Sequence, residues 1–181
     1  MISKQIYRDG MARFAAAVHI VTTDGPAGST GFTASAACSV TDDPPTVLVC
    51  LNRASELHGI FQENGVFCLN ILAAGQRNLS ELFSHRAGWP MRQRFEMPVW
   101  ETLVTGAPVL RDALACFDCR IVEVREVGTH WVMFGAVQDI KTLDSISDTP
   151  GSEFTLLYLN RVYREISIRM PENDQAAEKP E

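Results

Sequence analysis

The residues best suited to bind an anionic ligand are Asn52-Arg53-Ala54-Ser55, where a predicted strand ends and a predicted helix begins. Unpaired backbone N–H groups and the helix dipole meet at such a junction, so it suits a phosphate or a carboxylate. Ser55 adds a hydroxyl group and Arg53 adds a positive charge. The alternative is that Ser55 only caps the helix that follows. The residue types leave both interpretations open.

Three further polar side chains lie in or beside predicted strands. Asn70 is near the end of an apolar segment, so its amide must bond either to the backbone or to a ligand. His130 begins a strand, and its ring nitrogens could orient a ligand ring or carboxamide, although a structural role is the alternative. Tyr158 lies in the last predicted strand, where alternation places it on the opposite face from Arg161 if the strand persists.

Motifs for acid–base, nucleophilic or metal chemistry are missing from the sequence. Cys116-Phe117-Asp118-Cys119 matches C-x-x-C, but residues three apart on a strand point to opposite faces. No second cysteine or histidine group would complete a metal site, so we expect reduced, buried thiols. A protein without an evident acid, base or nucleophile can let a bound cofactor supply the chemistry.

A segment of small and hydroxylated residues at positions 31–40 organises the chain, and an apolar run at 46–51 follows it. Small side chains bury little apolar area, but they let another group approach the backbone and its N–H donors. The segment is therefore either a tightly packed β-corner under a helix or a platform for a flat ligand.

Periodicity predicts a mainly β chain with a few short helices. Ser3 can cap a first helix, and Asn64-Gly65 can end a second one. Residues 85–108 look irregular. Strands that are not interleaved regularly with helices favour a β-barrel or a related all-β core over a doubly wound sheet. The predicted strands cover residues 18–23, 46–51, 66–72, 113–124, 130–140 and 154–160.

Length and charge predict one domain at 1–170 and a disordered acidic tail at 171–181. The chain has 181 residues and a net charge of −6, of which −3 comes from the tail. This balance argues against nucleic-acid and anionic-membrane partners. We expect neither a signal peptide nor a membrane span, and therefore a cytoplasmic protein.

Taken together, these fragments resemble the short-chain flavin reductases that serve two-component flavin-dependent monooxygenases. The reductases of 4-hydroxyphenylacetate and chlorophenol monooxygenases are the most similar types. The order and spacing of the fragments carry the resemblance, which extends from Met11 to about Tyr163. The matching fragments are residues 17–23, 31–36, 38–45, 52–55, 66–72, 108–110 and 128–130.

The resemblance implies a split β-barrel of the flavin reductase-like (FMN-binding) type, with Greek-key topology, that forms a homodimer. It implies that the 33–35 backbone lines the isoalloxazine ring and that Asn70 supports the flavin from the adjacent strand. Two serines and Asn52 would hold the ribityl-phosphate region, while Arg86 would reach the distal phosphate or the adenine. The implied flavin-binding residues are Thr33, Ala34, Ser35, Ser39, Asn52, Ser55, Asn70 and Arg86. The implied NADH-binding residues are His130, beside the nicotinamide, and Tyr158.

The implied reaction is hydride transfer from NADH to a flavin, with FAD preferred and FMN possible. No protein residue reacts covalently in this scheme. The reduced flavin then passes by diffusion to a separate monooxygenase that hydroxylates an aromatic compound. Two alternatives are an FMN-dependent reductase or oxidase of the same barrel type with tightly bound flavin, and a non-catalytic flavin-binding module in which His130 is structural.

Overall fold

Strands make up most of the regular structure, as the sequence pattern predicts. The computed structural model describes residues 2–84, 88–143 and 151–169, so Arg86 and the predicted tail at 171–181 lie outside the described residues. The helices are α1 (Lys4–Met11), α2 (Leu57–Asn64), α3 (Arg77–Leu82) and α4 (Met91–Phe95), and a 3-10 turn covers Ala74–Gln76. The strands are β1 (Ala16–Ala17), β2 (His19–Thr23), β3 (Thr30–Ala34), β4 (Ala37–Asp42), β5 (Pro45–Asn52), β6 (Val66–Ile71), β7 (Trp100–Thr102), β8 (Pro108–Leu110), β9 (Ala115–Val127), β10 (His130–Thr142), β11 (Phe154–Leu159) and β12 (Val162–Ser167).

The largest sheet in the described part of the chain is antiparallel and has the order β3-β2-β6-β9-β10-β5-β4. Its two edge strands, β3 and β4, are consecutive in the sequence and are joined only by Ser35-Ala36. The 31–40 segment therefore supplies residues to both edges of the sheet. Strands β1, β11 and β12 form a second sheet, and β7 pairs with β8. The predicted mainly β fold is confirmed.

Two apolar clusters fill the interior on opposite sides of the central strands. The first includes Val18, Leu72 and Leu156, and the second includes Phe61 and Phe67. Burial of apolar side chains on both faces explains why the central strands read as continuous apolar runs.

The C-x-x-C cysteines divide between these clusters, as strand alternation predicts. Cys116 belongs to the first cluster and Cys119 to the second. Burial, with Asp118 nearby, raises the pKa of Cys119 to about 12. This thiol is therefore protonated at neutral pH, which makes it a poor nucleophile and a poor metal ligand.

Local signals at helix ends are partly confirmed. The Ser3 hydroxyl accepts a hydrogen bond from Ile6 N at 3.2 Å, and Gly65 ends α2 with a left-handed φ of 67°. The expected cap at Ser55 is wrong by one residue, because Glu56 occupies the N-cap position and makes no side-chain cap bond. No helix in the described ranges is long and apolar enough to cross a membrane.

Two other segments depart from the sequence-based expectation. Residues 88–108, the described part of the 85–108 region expected to be irregular, contain α4, β7 and the start of β8, which are too short to produce a clear periodicity. The strand predicted over 154–160 ends at Leu159, and the chain turns sharply at Asn160 and Arg161, which have φ values of 51° and 64°. This turn starts β12 and reverses the chain.

Candidate functional site

A cavity of about 630 Å³, here called the tyrosine cleft, brings together four of the predicted site residues: Thr33, Ala34, Ser35 and Tyr158. The condition for placing Tyr158 and Arg161 on opposite faces is not met, because the strand ends and the chain turns at residues 160–161. Arg161 lies in the same cleft as Tyr158. The remaining lining residues are Val18, Arg77, Ser84, Val162 and Tyr163.

Ser80, on α3, ties together the walls of the tyrosine cleft. Its backbone carbonyl accepts a hydrogen bond from the Thr33 hydroxyl at 2.6 Å. Its own hydroxyl bonds to the Tyr163 hydroxyl at 2.8 Å, and Ser80 is fully buried. The Arg77 guanidinium lies 5.0 Å from the centre of the Tyr163 ring. Strand β3, helix α3 and the β11–β12 hairpin are therefore held in one arrangement around the cleft.

Residues 33–35 are here called the 33–35 platform. Some of their backbone groups already make hydrogen bonds inside the protein. Thr33 N donates to Phe83 O at 3.1 Å, so this amide is already engaged. Behind the platform, His19 Nδ1 lies 3.3 Å from Ala34 O, and the side chain is buried. Burial lowers the pKa of His19, although its bond to Ala34 O opposes that shift. The neutral ring with its proton on Nδ1 fits this contact. Sequence reasoning missed His19, since its partner is set only by the β2–β3 register.

Two arginines give the tyrosine cleft a positive wall. Arg77 pairs with Glu81 at 2.9 Å, and Arg161 pairs with Asp9 of α1 at 2.5 Å. The hydrogen bond from Arg161 lowers the pKa of Asp9, so this carboxylate is charged at neutral pH. Each guanidinium has five N–H donors, and one carboxylate does not use them all. The wall can therefore still bind an anion.

A second cavity, of about 360 Å³ and here called the serine cleft, adjoins the first at Ser84. The predicted anion-binding residue Ser55 lines it, and Leu57 N lies 3.4 Å from the Ser55 hydroxyl. That contact is long for a hydrogen bond, so the hydroxyl remains suited to a ligand. The other lining residues are Gly31, Phe32, Ala54, Glu56, Leu57, Phe83, Met91 and Arg94.

Asn52 and His130 lie side by side but line neither cleft. They are register partners at the ends of β5 and β10. Asn52 Oδ1 accepts a hydrogen bond from Ala54 N at 2.9 Å, and His130 Nδ1 lies 3.0 Å from the Thr129 hydroxyl. Arg53 donates to Gly128 O at 3.1 Å and pairs with Glu126, so its charge is partly satisfied within the protein.

Ser39 and Asn70 are not brought to either cleft. Ser39 is exposed on β4 opposite Val47. Asn70 is fully buried: its amide nitrogen donates to Ile20 O at 2.9 Å, and its oxygen accepts from Leu110 N at 2.8 Å. The strand backbone thus supplies the partners that the sequence required for Asn70.

Comparisons with known proteins agree with this architecture. The family model of the flavin reductase-like domain matches residues 11–167. A relative from Variovorax paradoxus (strain S110), FMN reductase (NADH) RutF, is 48% identical over 167 residues, covering 92% of this chain and 88% of the relative.

Solved structures of similar proteins share the fold. BorF, the flavin reductase component of a bacterial two-component tryptophan halogenase, aligns with a TM-score of 0.82 and 30% identity, over 92% of this chain and 100% of BorF. A homologue of nitrilotriacetate monooxygenase component B from Mycobacterium thermoresistibile aligns with a TM-score of 0.79 and 27% identity, over 93% of this chain and 90% of that protein.

Proposed function

Because the chain belongs to the flavin reductase-like domain family, we propose that it is an NADH-dependent flavin reductase. The observation that carries the proposal is the junction of the two clefts at Ser84. One cleft contains the 33–35 platform and the other contains Ser55, so a flavin can place its ring at the first and its phosphate at the second.

The residues present fit a flavin. Ala34 and Ser35 have small side chains, and Ser35 is exposed at the gap between the two edge strands, so a flat ring can approach the backbone. The Ser55 hydroxyl lies at the strand-to-helix junction, where backbone N–H groups favour a phosphate. When bound, the flavin accepts the hydride of NADH and supplies the redox chemistry.

The protein's part in the reaction is to bind and orient the two ligands. The Thr33–Ser80 and Ser80–Tyr163 hydrogen bonds fix the cleft before ligands arrive, which lowers the entropic cost of bringing two rings together. Tyr158, which lines the same cleft, is proposed to contact the pyridine nucleotide. His130, at the start of β10, is proposed to lie beside the nicotinamide.

The flavin that we propose is FMN, with FAD as the second candidate. The resemblance in the sequence favours FAD, whereas the 48% identical relative is named FMN reductase (NADH). FMN is placed first because that relative is more similar in sequence, at 48% identity, than the solved reductase structures at 30% and 27%. Arg86, expected to reach a distal phosphate or an adenine, lies outside the described residues and does not decide between the two flavins.

We propose that a separate reduced-flavin-dependent monooxygenase consumes the product. BorF is the reductase component of a two-component halogenase, and the Mycobacterium protein is a homologue of a monooxygenase component. That the partner hydroxylates an aromatic compound, and that the reaction takes place in the cytoplasm, are proposals from the sequence resemblance.

We also propose a homodimer. Four apolar side chains on or next to α1 are exposed, namely Ile6, Tyr7, Met11 and Phe14. An apolar surface of this kind is typical of an interaction site. A second copy of the chain is the occupant that the family resemblance implies, and light scattering of the purified protein would measure its mass.

The test of the proposed function is a matrix of flavins and pyridine nucleotides. NADH oxidation is followed with no flavin, with FMN and with FAD, and each assay is repeated with NADPH. We expect turnover only when flavin is added, faster with NADH than with NADPH. Turnover without flavin by a colourless protein, or no turnover with either flavin, would overturn the proposal. A yellow protein after gel filtration would favour the alternative with tightly bound FMN.

A further inference from the structure

Two arginine side chains line the tyrosine cleft beside the 33–35 platform. Arg77 reaches it from α3 and Arg161 from the β11–β12 turn, on walls that also carry Tyr158 and Tyr163. The Tyr158 and Tyr163 rings lie 5.6 Å apart in an edge-on arrangement. Guanidinium groups beside aromatic rings are a common combination for binding a phosphate next to a planar base.

We propose that Arg77 and Arg161 bind the pyrophosphate of a dinucleotide whose reactive ring lies at the 33–35 platform. The inference rests on the proposed function and deepens it, because it assigns a second ligand element to the same site. A nucleoside diphosphate is the shared chemistry. It comes from NADH if the flavin phosphate lies at Ser55, and from FAD if the flavin directs its phosphates along the tyrosine cleft instead.

The position of each guanidinium supports this assignment. Stacking over the Tyr163 ring and the ion pair with Glu81 hold Arg77 in place. The ion pair with Asp9 holds Arg161. Both arginine side chains are about half exposed, at 57% and 54%, so a ligand can reach them from the cleft. Two forks of N–H donors match a group with two phosphates better than a single phosphate.

The carboxylates paired with the two arginines allow a second test, in which the expected change in ligand affinity has the opposite sign. Glu81 and Asp9 hold the arginines but also repel an incoming diphosphate. Removing an arginine should weaken binding, whereas neutralising its carboxylate partner should strengthen it. Arginines with a purely structural role would not produce this pattern in ligand affinity.

The first measurement is calorimetric titration with ADP, using adenosine as the control ligand. We expect Arg77→Gln and Arg161→Gln each to weaken ADP binding about tenfold, in line with the loss of a charge-assisted hydrogen bond. Glu81→Gln and Asp9→Asn should tighten it about twofold or more. Adenosine binding should not change in any of the four variants.

Arg92→Gln is the matched control. Arg92 makes the same i,i+4 pair, with Glu96 at 3.1 Å, on α4 and outside the tyrosine cleft. Its loss should leave ADP affinity unchanged. If Arg92→Gln weakens ADP binding as much as Arg77→Gln does, the effect is one of general charge and the proposal is wrong.

The second measurement identifies the source of the diphosphate through the dissociation constants of NADH, FAD and FMN. Weaker NADH binding in the two arginine variants, with FMN unchanged, assigns the pyrophosphate to NADH. Weaker FAD binding, with NADH and FMN unchanged, assigns it to FAD. An equal loss for FMN, or no loss for any of the three, overturns the proposal.

Failure of the proposed function and failure of the arginine site give different results with the wild-type protein. A wild-type protein that binds ADP through the two arginines but shows no flavin-dependent NADH oxidation retains this site and loses the assigned activity. A wild-type protein that oxidises NADH but does not bind ADP retains the activity and loses the site.

Discussion

His130 lies directly opposite Asn52 in the ladder between β10 and β5, although the two residues belong to distant parts of the sequence. One was predicted to lie beside the nicotinamide and the other to bind the flavin ribityl-phosphate region. The register places both at one end of the same strand pair. The Thr129 hydroxyl bonds to His130 Nδ1 and so orients the ring. The two predicted roles can be tested separately, because replacing each residue should change the affinity for a different ligand, NADH or the flavin.

Replacing His130 with alanine should raise the KM for NADH more than it raises the flavin dissociation constant. The physical reason is that the ring would orient the nicotinamide without contributing to flavin binding. Steady-state kinetics and flavin titration measure the two effects, and His130→Gln should recover part of the loss through its hydrogen-bonding amide. Equal losses of both affinities would contradict this role.

Replacing Asn70 with alanine should lower the free energy of unfolding by about 2–4 kcal/mol, because Ile20 O and Leu110 N lose a buried partner. Urea denaturation measures the change. Asn52→Ala is the exposed control and should cost less than about 1 kcal/mol. If the flavin contact expected for Asn70 exists, its variant should also lose flavin affinity; an unchanged affinity would assign the residue to the fold alone.

Stability should fall as the pH decreases through the ordinary histidine pKa of 6.5, because burial holds the pKa of His19 below that value. The unfolded chain then binds a proton that the folded chain excludes, so acid favours unfolding. Urea denaturation at pH values above and below 6.5 measures the effect. His58 has the same direction of shift through burial, so His19→Gln should reduce the pH dependence without abolishing it. An unchanged dependence would contradict the role of His19.

Gly135→Ala should destabilise the protein by about 2–3 kcal/mol, because overpacking a filled core forces neighbours to move. A Cβ atom there would lie 2.4 Å from Phe67 Cζ and 2.8 Å from Cys119 Cβ. The comparison is Gly59→Ala in α2, where no heavy atom beyond the neighbouring residues and the local helix backbone lies within 4 Å of the added Cβ. That change should stabilise the protein by up to about 1 kcal/mol, since alanine is the better helix former. Thermal unfolding of both variants would show opposite shifts.

The parts of the fold that the sequence predicted depend on neighbouring residues. The Ser3 cap and the left-handed Gly65 involve contacts within four residues, and both were found. The long strands were also found, because their apolar runs mark burial on both faces. The short elements α4, β7 and β8 were missed, since three to five residues do not establish a period.

The site was only partly predictable, because its contacts come from distant segments. Residues 33–35 and Tyr158 do meet in one cleft. The sequence showed that Asn70 needs partners but not that Ile20 and Leu110 supply them. Likewise, the pairing of Arg161 with Asp9 depends on a turn with two consecutive positive φ values. Asn160 adopts such a value readily, but Arg161 is a residue type that does not indicate one.

The two-residue junction between β3 and β4 also bears on the order in which the protein assembles. The two flanking strands are consecutive along the chain but lie at opposite edges of the sheet. Between them, the hydrogen-bonded order of strands is β2, β6, β9, β10 and β5. A nascent chain that stops before residue 130 therefore contains every residue of the platform but not the strand that joins β5 to β9. Pairings this far apart in sequence form late in folding. Competence to bind a ligand at the platform is thus acquired only when the last third of the chain has been synthesised.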